Sequence, residues 1–455
     1  LVAAMNDARF KVLIAGGGVA GLEAMLALRH LVGVRAHIEI LAPEREFTYR
    51  QFAVAEPFSA GEVARFDLTK LIEEGGGVHR RDALVAIDPE RMTASTTAGA
   101  AIEYEALLLA FGARAREAIP GALTYRGVAS NADVRQAIGG LDRHEIPNVV
   151  FIVPASVRWS LPLYELALLS AAHLAEIGDS ELVIELVTAE SEPLEILGPA
   201  VARSVRALLE EAGVNLRAGV APARVEDGVL RLVNGETVEC GRAIALPEFE
   251  VDPVPGLPQG PHGFVGTDDL MRVDGIDRVF AAGDATWFPV KQGGLAAQQA
   301  DTAASVIASL IDPAVEPEPF RPVLRAAMLT GSGPRYLRAA ITPNEPGEAP
   351  NEAPLWWPPS KVAGRYLAPF IARMASRANQ PAPALVDLEP GAGAAADHRE
   401  AVELALAAAD ADAASRDHRG ALRWLAVAEQ LDLTLDAAHA LKREQWQRAL
   451  EEERW

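Results

Sequence analysis

Cysteine is all but missing from this 455-residue chain, where Cys240 stands alone. One thiol excludes any intrachain disulfide, structural or redox-active, and any thiolate metal cluster. The nine histidines form no HxxxH pair or ligand cluster, so no metal is assigned. No apolar run reaches the roughly 18 residues a transmembrane helix needs. No basic leader with an apolar core and a small-residue cleavage site opens the chain, so the expected address is the cytoplasm. Leu1 is not a translated start; the first four residues read as processing remnants and Met5 as the candidate start. Positive charge is also in deficit. Against 63 acidic residues stand 42 Lys and Arg, a net charge of -21, which disfavours nucleic acid and general attraction to an anionic membrane. Half of the residues are apolar, which marks a globular chain, and its length calls for about two to four domains.

What is present begins with Gly16-Gly17-Gly18-Val19-Ala20-Gly21. The loop follows the apolar run Val12-Leu13-Ile14-Ala15 and precedes a helical pattern through Leu22–Leu28. A strand that turns sharply into a helix aims the helix's first N–H groups at a pyrophosphate, and glycine lets the backbone turn and approach. Alone, the loop is as readily an ordinary turn. Its context supplies the rest: a second strand at Ala36–Leu41, turns at Gly75–Gly77 and Gly99, and a buried strand through Tyr104–Ala113. Strands at Asn148–Val153 and Glu181–Thr188 then flank a helix from about Leu163 to Ile177, Ala200–Ala212 reads as another helix, and a strand returns at Arg278–Asp284. Alternating strands and helices predict an α/β fold with parallel sheets covered on both faces.

Four ordered motifs now carry a resemblance: Gly16-x-Gly18-x-x-Gly21, the strand end Ala110-Phe111-Gly112, Ile119-Pro120-Gly121, and Ala281-Ala282-Gly283-Asp284. Together they resemble the flavoproteins with two dinucleotide-binding domains, a family that includes disulfide reductases, type II NADH dehydrogenases and sulfide:quinone reductases. The resemblance spans roughly Phe10 to Asp312 and implies FAD as cofactor. Gly16, Gly18, Val19, Ala20 and Gly21 would hold its pyrophosphate and Asp284, beside Gly283, its ribityl chain; the alternative for Asp284 is a cap on the next helix. The family's ribose-binding acid falls on Ala42. Glu44 is the candidate substitute, with a plain surface acid as its alternative, while Glu39 lies inside the strand's alternation. Arg50 is a candidate phosphate partner and Leu84 the candidate adenine contact. The implied architecture is an FAD domain at 8–117 and 263–312, a second Rossmann-like domain at 118–262 and an interface domain at 318–375. A linker at 376–397 and a helical appendage at 398–455 complete it.

The second domain departs from the family's nicotinamide pattern. Its first strand leads into Pro154-Ala155-Ser156-Val157-Arg158-Trp159-Ser160-Leu161-Pro162, and no glycine stands between Gly140 and Gly178. Side chains, Trp159 above all, would crowd the place where a pyrophosphate meets bare backbone. Arg158 and Ser160 remain as donors to some anion. Sulfide:quinone reductases have a similar proline-bounded segment, but their redox cysteines are missing here, so sulfide chemistry does not carry over.

Two residues are assigned catalytic roles from the resemblance: Glu165 as proton carrier, and Lys291 as the cation that stabilises the reduced ring. The alternatives are a structural ion pair for Glu165 and a solvated loop lysine for Lys291. Lys291, Gln292 and Gly293 form the turn beside the ring, and the helix from Gly293 resembles the quinone side of the NADH dehydrogenases, though Gly294 replaces their usual glutamine. The expected function is an FAD-dependent oxidoreductase that takes electrons from a small-molecule donor, unidentified, and passes them to a quinone-like acceptor. Alternatives are an NAD(P)H:quinone or NAD(P)H:acceptor reductase with an atypical nicotinamide site, and a non-catalytic FAD-holding interaction protein. Residues 355–374 mix Trp356, Trp357, Lys361, Arg365 and Arg373 with apolar residues. That suits either peripheral contact with the inner face of a membrane or packing on the protein's own core. Cys240 is expected to pack as a small hydrophobe. The interface domain makes a homodimer a candidate assembly, and Ala421–Ala428 resembles one helix of a tetratricopeptide-type hairpin.

Overall fold

Strands buried on both faces assemble here as two parallel sheets. The computed structural model describes residues 9–178, 183–341 and 361–377, scattered positions between 406 and 425, and the helix at 437–452. In chain order the strands are β1 (Phe10–Ala15), β2 (Ala36–Leu41), β3 (Val78–Arg80), β4 (Ala106–Leu109) and β5 (Leu123–Thr124). They continue as β6 (Asn148–Val153), β7 (Val183–Thr188), β8 (Asn215–Arg217), β9 (Arg242–Ala245) and β10 (Val279–Ala281). The first sheet has the order β10-β4-β1-β2-β3 and the second β5-β9-β6-β7-β8. Every pairing in both is parallel. All positions of β4 and β6 are buried, because each parallel sheet packs on helices across one face and on a three-stranded antiparallel sheet across the other.

Four helices matter for the site, α1 (Val19–Val32), α2 (Leu161–Ile177), α3 (Gly293–Ile311) and α4 (Leu367–Arg377), and α5 (Ala437–Glu452) follows later in the chain. Alanines such as Ala24, Ala27, Ala300 and Ala304 let α1 and α3 share one core beneath the first sheet. The chain leaves the first domain along Arg114–Arg116 and returns along Glu248–Glu250. These crossing strands pair antiparallel, joined by Arg114–Glu250 and Arg116–Glu248 ion pairs.

Two boundaries are tighter than the sequence pattern. The stretch 104–113 forms a strand only at Ala106–Leu109, because Gly112, at φ +75°, turns the chain away. The returning strand is Val279–Ala281, and residues 179–182, ahead of β7, lie outside the described residues. Gly99 closes part of a three-stranded antiparallel sheet of Leu84–Asp88, Thr93–Thr96 and Ala101–Glu103. Only one face of its short strands is buried, so they lack the continuous apolar run that reveals a parallel strand.

After α3, a hairpin of β11 (Val323–Leu329) and β12 (Pro334–Ala340) sends Leu324, Ala326, Met328 and Leu337 into the second domain's core. Helix α4 instead buries Leu367, Phe370 and Ile371 in the first domain's core. That part of the 355–374 segment therefore packs on the protein itself, while Trp356 and Trp357 lie outside the described residues. The linker from 378 onward and most of the helical appendage before α5 also lie outside them. Ala409, Ala421, Leu425 and Trp446 form a small separate core.

Candidate functional site

Each glycine of the first loop answers a different constraint. Gly16 has φ +124°, and a Cβ there would sit 2.2 Å from the Ala110 carbonyl oxygen. At Gly21 a Cβ would lie 2.0 Å from Gly16 O, so helix and loop touch through bare backbone. Gly18 faces open space, with no atom within 4 Å of its Cβ position. It is also the N-cap of α1, where no side chain caps the helix and no acid stands in the first turn. Val19 and Ala20 begin this helix, so uncapped N–H groups and the positive end of the dipole open onto the space beside Gly18.

Across the sheet, Gly283 (φ +82°) follows β10, and its N–H donates to Gln299 Oε1 at 2.7 Å. Asp284 comes next. Its carboxylate has no hydrogen-bond partner among the described residues, and burial raises its pKa against the opposing charges of Lys291 and Arg50. It does not cap α3, whose N-cap is Gln292: Gln292 Oε1 accepts from Leu295 N–H at 2.8 Å, and Nε2 donates to Arg325 O at 2.9 Å. Lys291 Nζ donates to Thr286 O and Phe288 O at 2.6 and 2.8 Å and lies 4.0 Å from the Phe264 ring centroid. Burial lowers its pKa to about 8, with Asp284 pulling the other way. Gly293 sits under Val362, whose side chain is 3.2 Å from the Cβ position.

The remaining sites assigned from sequence are more peripheral. Phe111 and Gly112 lie just past the end of β4 as half-buried residues, and Leu84 is half-buried at the edge of the antiparallel sheet. Ala42 is buried at the end of β2, Glu44 and Arg50 are exposed beyond it, and Glu39 pairs with Arg80.

In the second domain, the proline-bounded turn carries a network that sequence reasoning missed. Glu190, two residues past β7, accepts from Ser160 Oγ (2.9 Å), Tyr164 OH (2.8 Å) and Thr188 Oγ1 (3.1 Å). Its pKa is raised by burial, and these hydroxyls counter the rise. Ser160 is thus committed to Glu190, whereas Arg158 is exposed with no partner among the described residues. Trp159 is half-buried against the second core. The only sequence signal for Glu190 was an acid just beyond an apolar strand.

Glu165, buried on α2, accepts from Lys361 Nζ at 2.5 Å and from Leu329 N–H at 2.9 Å, which ties α2 to the hairpin and to the segment before α4. Burial raises its pKa and Lys361 opposes the rise. Buried Glu23 on α1 accepts from the N–H groups of Tyr366 and Leu367, both at 2.7 Å, and so caps α4. Asp301 on α3 neighbours Glu23, and burial raises both pKa values, with the Glu23 charge pushing that of Asp301 further up. Cys240 is buried in an apolar cluster, with its pKa raised by burial. Among the described residues, no cluster of His, Cys, Asp or Glu could hold a metal ion, and no helix is long and apolar enough to cross a membrane.

The glycine cradle, the uncapped helix and the unpartnered Asp284 fit a dinucleotide, in a domain interrupted by a second parallel domain. That arrangement defines a flavoprotein with two Rossmann-like domains. The chain belongs to the pyridine nucleotide-disulphide oxidoreductase family, whose profile matches residues 10–305. It is an FAD-binding oxidoreductase. An NADH dehydrogenase-like protein of Mycobacterium tuberculosis is 26% identical over 296 residues, 60% of this chain and 72% of that protein. A rubredoxin-NAD(+) reductase of Pseudomonas putida is 26% identical over 345 residues, 71% and 86% of the two chains. The fold resembles that of a sulfide:quinone oxidoreductase from Aquifex aeolicus, with a TM-score of 0.67 at 20% identity over 74% of this chain and 85% of that one.

Proposed function

We infer that this oxidoreductase takes electrons from a donor that does not lodge in an ordinary nicotinamide-dinucleotide site, and delivers them to a quinone-like acceptor. The observation that supports the first half is the turn after β6. Where a pyrophosphate would need bare backbone, Pro154–Pro162 supplies side chains, and Ser160 and Tyr164 at the start of α2 are engaged by Glu190. The acceptor is inferred from the resemblance of the Lys291 turn and α3 to the quinone reductases. FAD, when bound, supplies the two-electron redox chemistry. Around it, Gly16, Gly18 and Gly21 admit the pyrophosphate, with Val19 and Ala20 opening the helix, and Asp284 binds the ribityl chain. Lys291 holds positive charge beside Asp284, and Glu165, whose pKa burial raises and the paired Lys361 pulls back down, is the group that would carry the proton. The relatives' names, NADH dehydrogenase-like protein and rubredoxin-NAD(+) reductase, favour a second reading, an NAD(P)H:acceptor reductase with an atypical site. Anaerobic titration of the flavin absorbance separates the two. Indifference to NADH and NADPH, with restoration of the oxidised spectrum by menadione after dithionite reduction, supports the first. Rapid bleaching by micromolar NADH overturns it.

A further inference from the structure

A cavity of about 350 Å³ lies where the two domains meet, at the low end of the range for small-molecule sites. The second domain contributes Arg158 and Trp159 from the proline-bounded turn and Phe249 from the returning crossover strand; the first domain contributes Phe264, Trp287 and Lys291. We propose that this cavity binds a small, planar, conjugated anion, a one- or two-ring aromatic acid or acidic quinone. This deepens the functional reading above and rests on it.

Three observations converge on that chemistry. The walls are aromatic and set at an angle: Phe264 and Trp287 have centroids 6.1 Å apart with ring planes at 76°. Trp287 is 53% exposed, an uncommon position for so large an apolar ring and one that leaves its surface free for a ligand. The charge balance is positive in an otherwise acidic protein. The cavity's acid, Glu248, is neutralised by its ion pair with Arg116 and accepts from Ser156 Oγ. Arg158 has no partner among the described residues, and Lys291 uses two of its three N–H groups on carbonyls. An unpaired guanidinium at the rim and an ammonium at the base, held over the Phe264 ring, match an anion whose ring plane lies against the exposed face of Trp287 with its edge toward Phe264. Lys291 also neighbours Asp284, so the cavity adjoins the cofactor site.

Calorimetric titration of the FAD-loaded protein with 2-hydroxy-1,4-naphthoquinone, anionic at neutral pH, and with 2-methyl-1,4-naphthoquinone, its neutral counterpart, tests the proposal. The anion is expected to bind about tenfold tighter, the effect of one hydrogen bond to a charged group. Arg158→Gln is expected to remove most of that preference, and the anion's affinity should fall as the pH passes about 8, where Lys291 loses its proton. The pH effect should vanish in Lys291→Met. Equal affinities, no binding of either compound, or a preference unchanged in Arg158→Gln would overturn the proposal. The acceptor reading is scored separately by whether either compound restores the flavin spectrum of dithionite-reduced protein. Preferential binding without reoxidation sinks that reading and leaves the site standing; reoxidation without preference does the reverse.

Discussion

Replacing Lys361 by methionine strands a carboxyl that is 1% exposed. Glu165 then keeps only the Leu329 N–H, and the charge that opposes its raised pKa is gone. Near neutrality it must take up a proton in the folded state. Holding a carboxyl neutral above its ordinary value of 4.5 costs about 1.4 kcal/mol per pH unit. The penalty is therefore about 1.4 kcal/mol at pH 5.5 and about 5 kcal/mol at pH 8, the latter close to the roughly 3–5 kcal/mol of a broken buried ion pair. An acid whose pKa is higher folded than unfolded contributes most at low pH and loses that contribution as the pH rises, so the deficit must grow with pH. Urea unfolding followed by tryptophan fluorescence, with the native protein as reference at each pH, should show a deficit about 3 kcal/mol larger at pH 8 than at pH 5.5. Glu165→Gln combined with Lys361→Met removes both charges and should recover most of the loss. An equal deficit at the two pH values, or a double variant as weak as the single one, would refute the reasoning.

Gly18→Ala places its methyl in open space at φ -82°, so folding should be untouched while FAD retention, read as the ratio of absorbance at 450 and 280 nm, falls sharply; full flavin content would contradict the cradle. Gly16→Ala, at φ +124° and against Ala110 O, should lower the folded yield as well. Asp301→Asn tests the acid pair under α4. Both carboxyls have raised pKa values, so the native chain should lose stability as the pH climbs above their ordinary values of 3.8 and 4.5. The variant should show a flatter fall in melting temperature between pH 6 and pH 9, and an unchanged slope would remove the pair from the account.

Much of the fold was legible because its signals are local. Val12–Ala15 and Val149–Val153 are continuous apolar runs, which only strands covered on both faces need, and both became central strands of parallel sheets. The antiparallel strands around Gly99 and those at Pro222–Glu226, Val229–Leu232 and Thr237–Glu239 were not legible, since they are short and bury one face. At the site, the sequence reading left Glu165 open between proton carrier and ion pair. The structure pairs it with Lys361, which had stood out only as one cation in an aromatic stretch. Glu190 carried no signal of its own, because its three donors come from a strand end and a helix start brought together by the sheet.

The sequence by itself determined that a glycine-rich turn follows the first strand and that the corresponding turn of the second domain, Pro154–Pro162, carries side chains and no glycine. Both follow from which residues can turn a backbone and approach a phosphate, a property of a few consecutive positions. Only the tertiary structure decided which charges meet. Lys361 reaches Glu165 across 196 positions, and Glu23 caps a helix 344 positions away. The rings of Trp159, Phe249, Phe264 and Trp287 line one cavity because two separately folded sheets dock there. Such meetings depend on strand order and domain packing, which no local pattern of residues encodes.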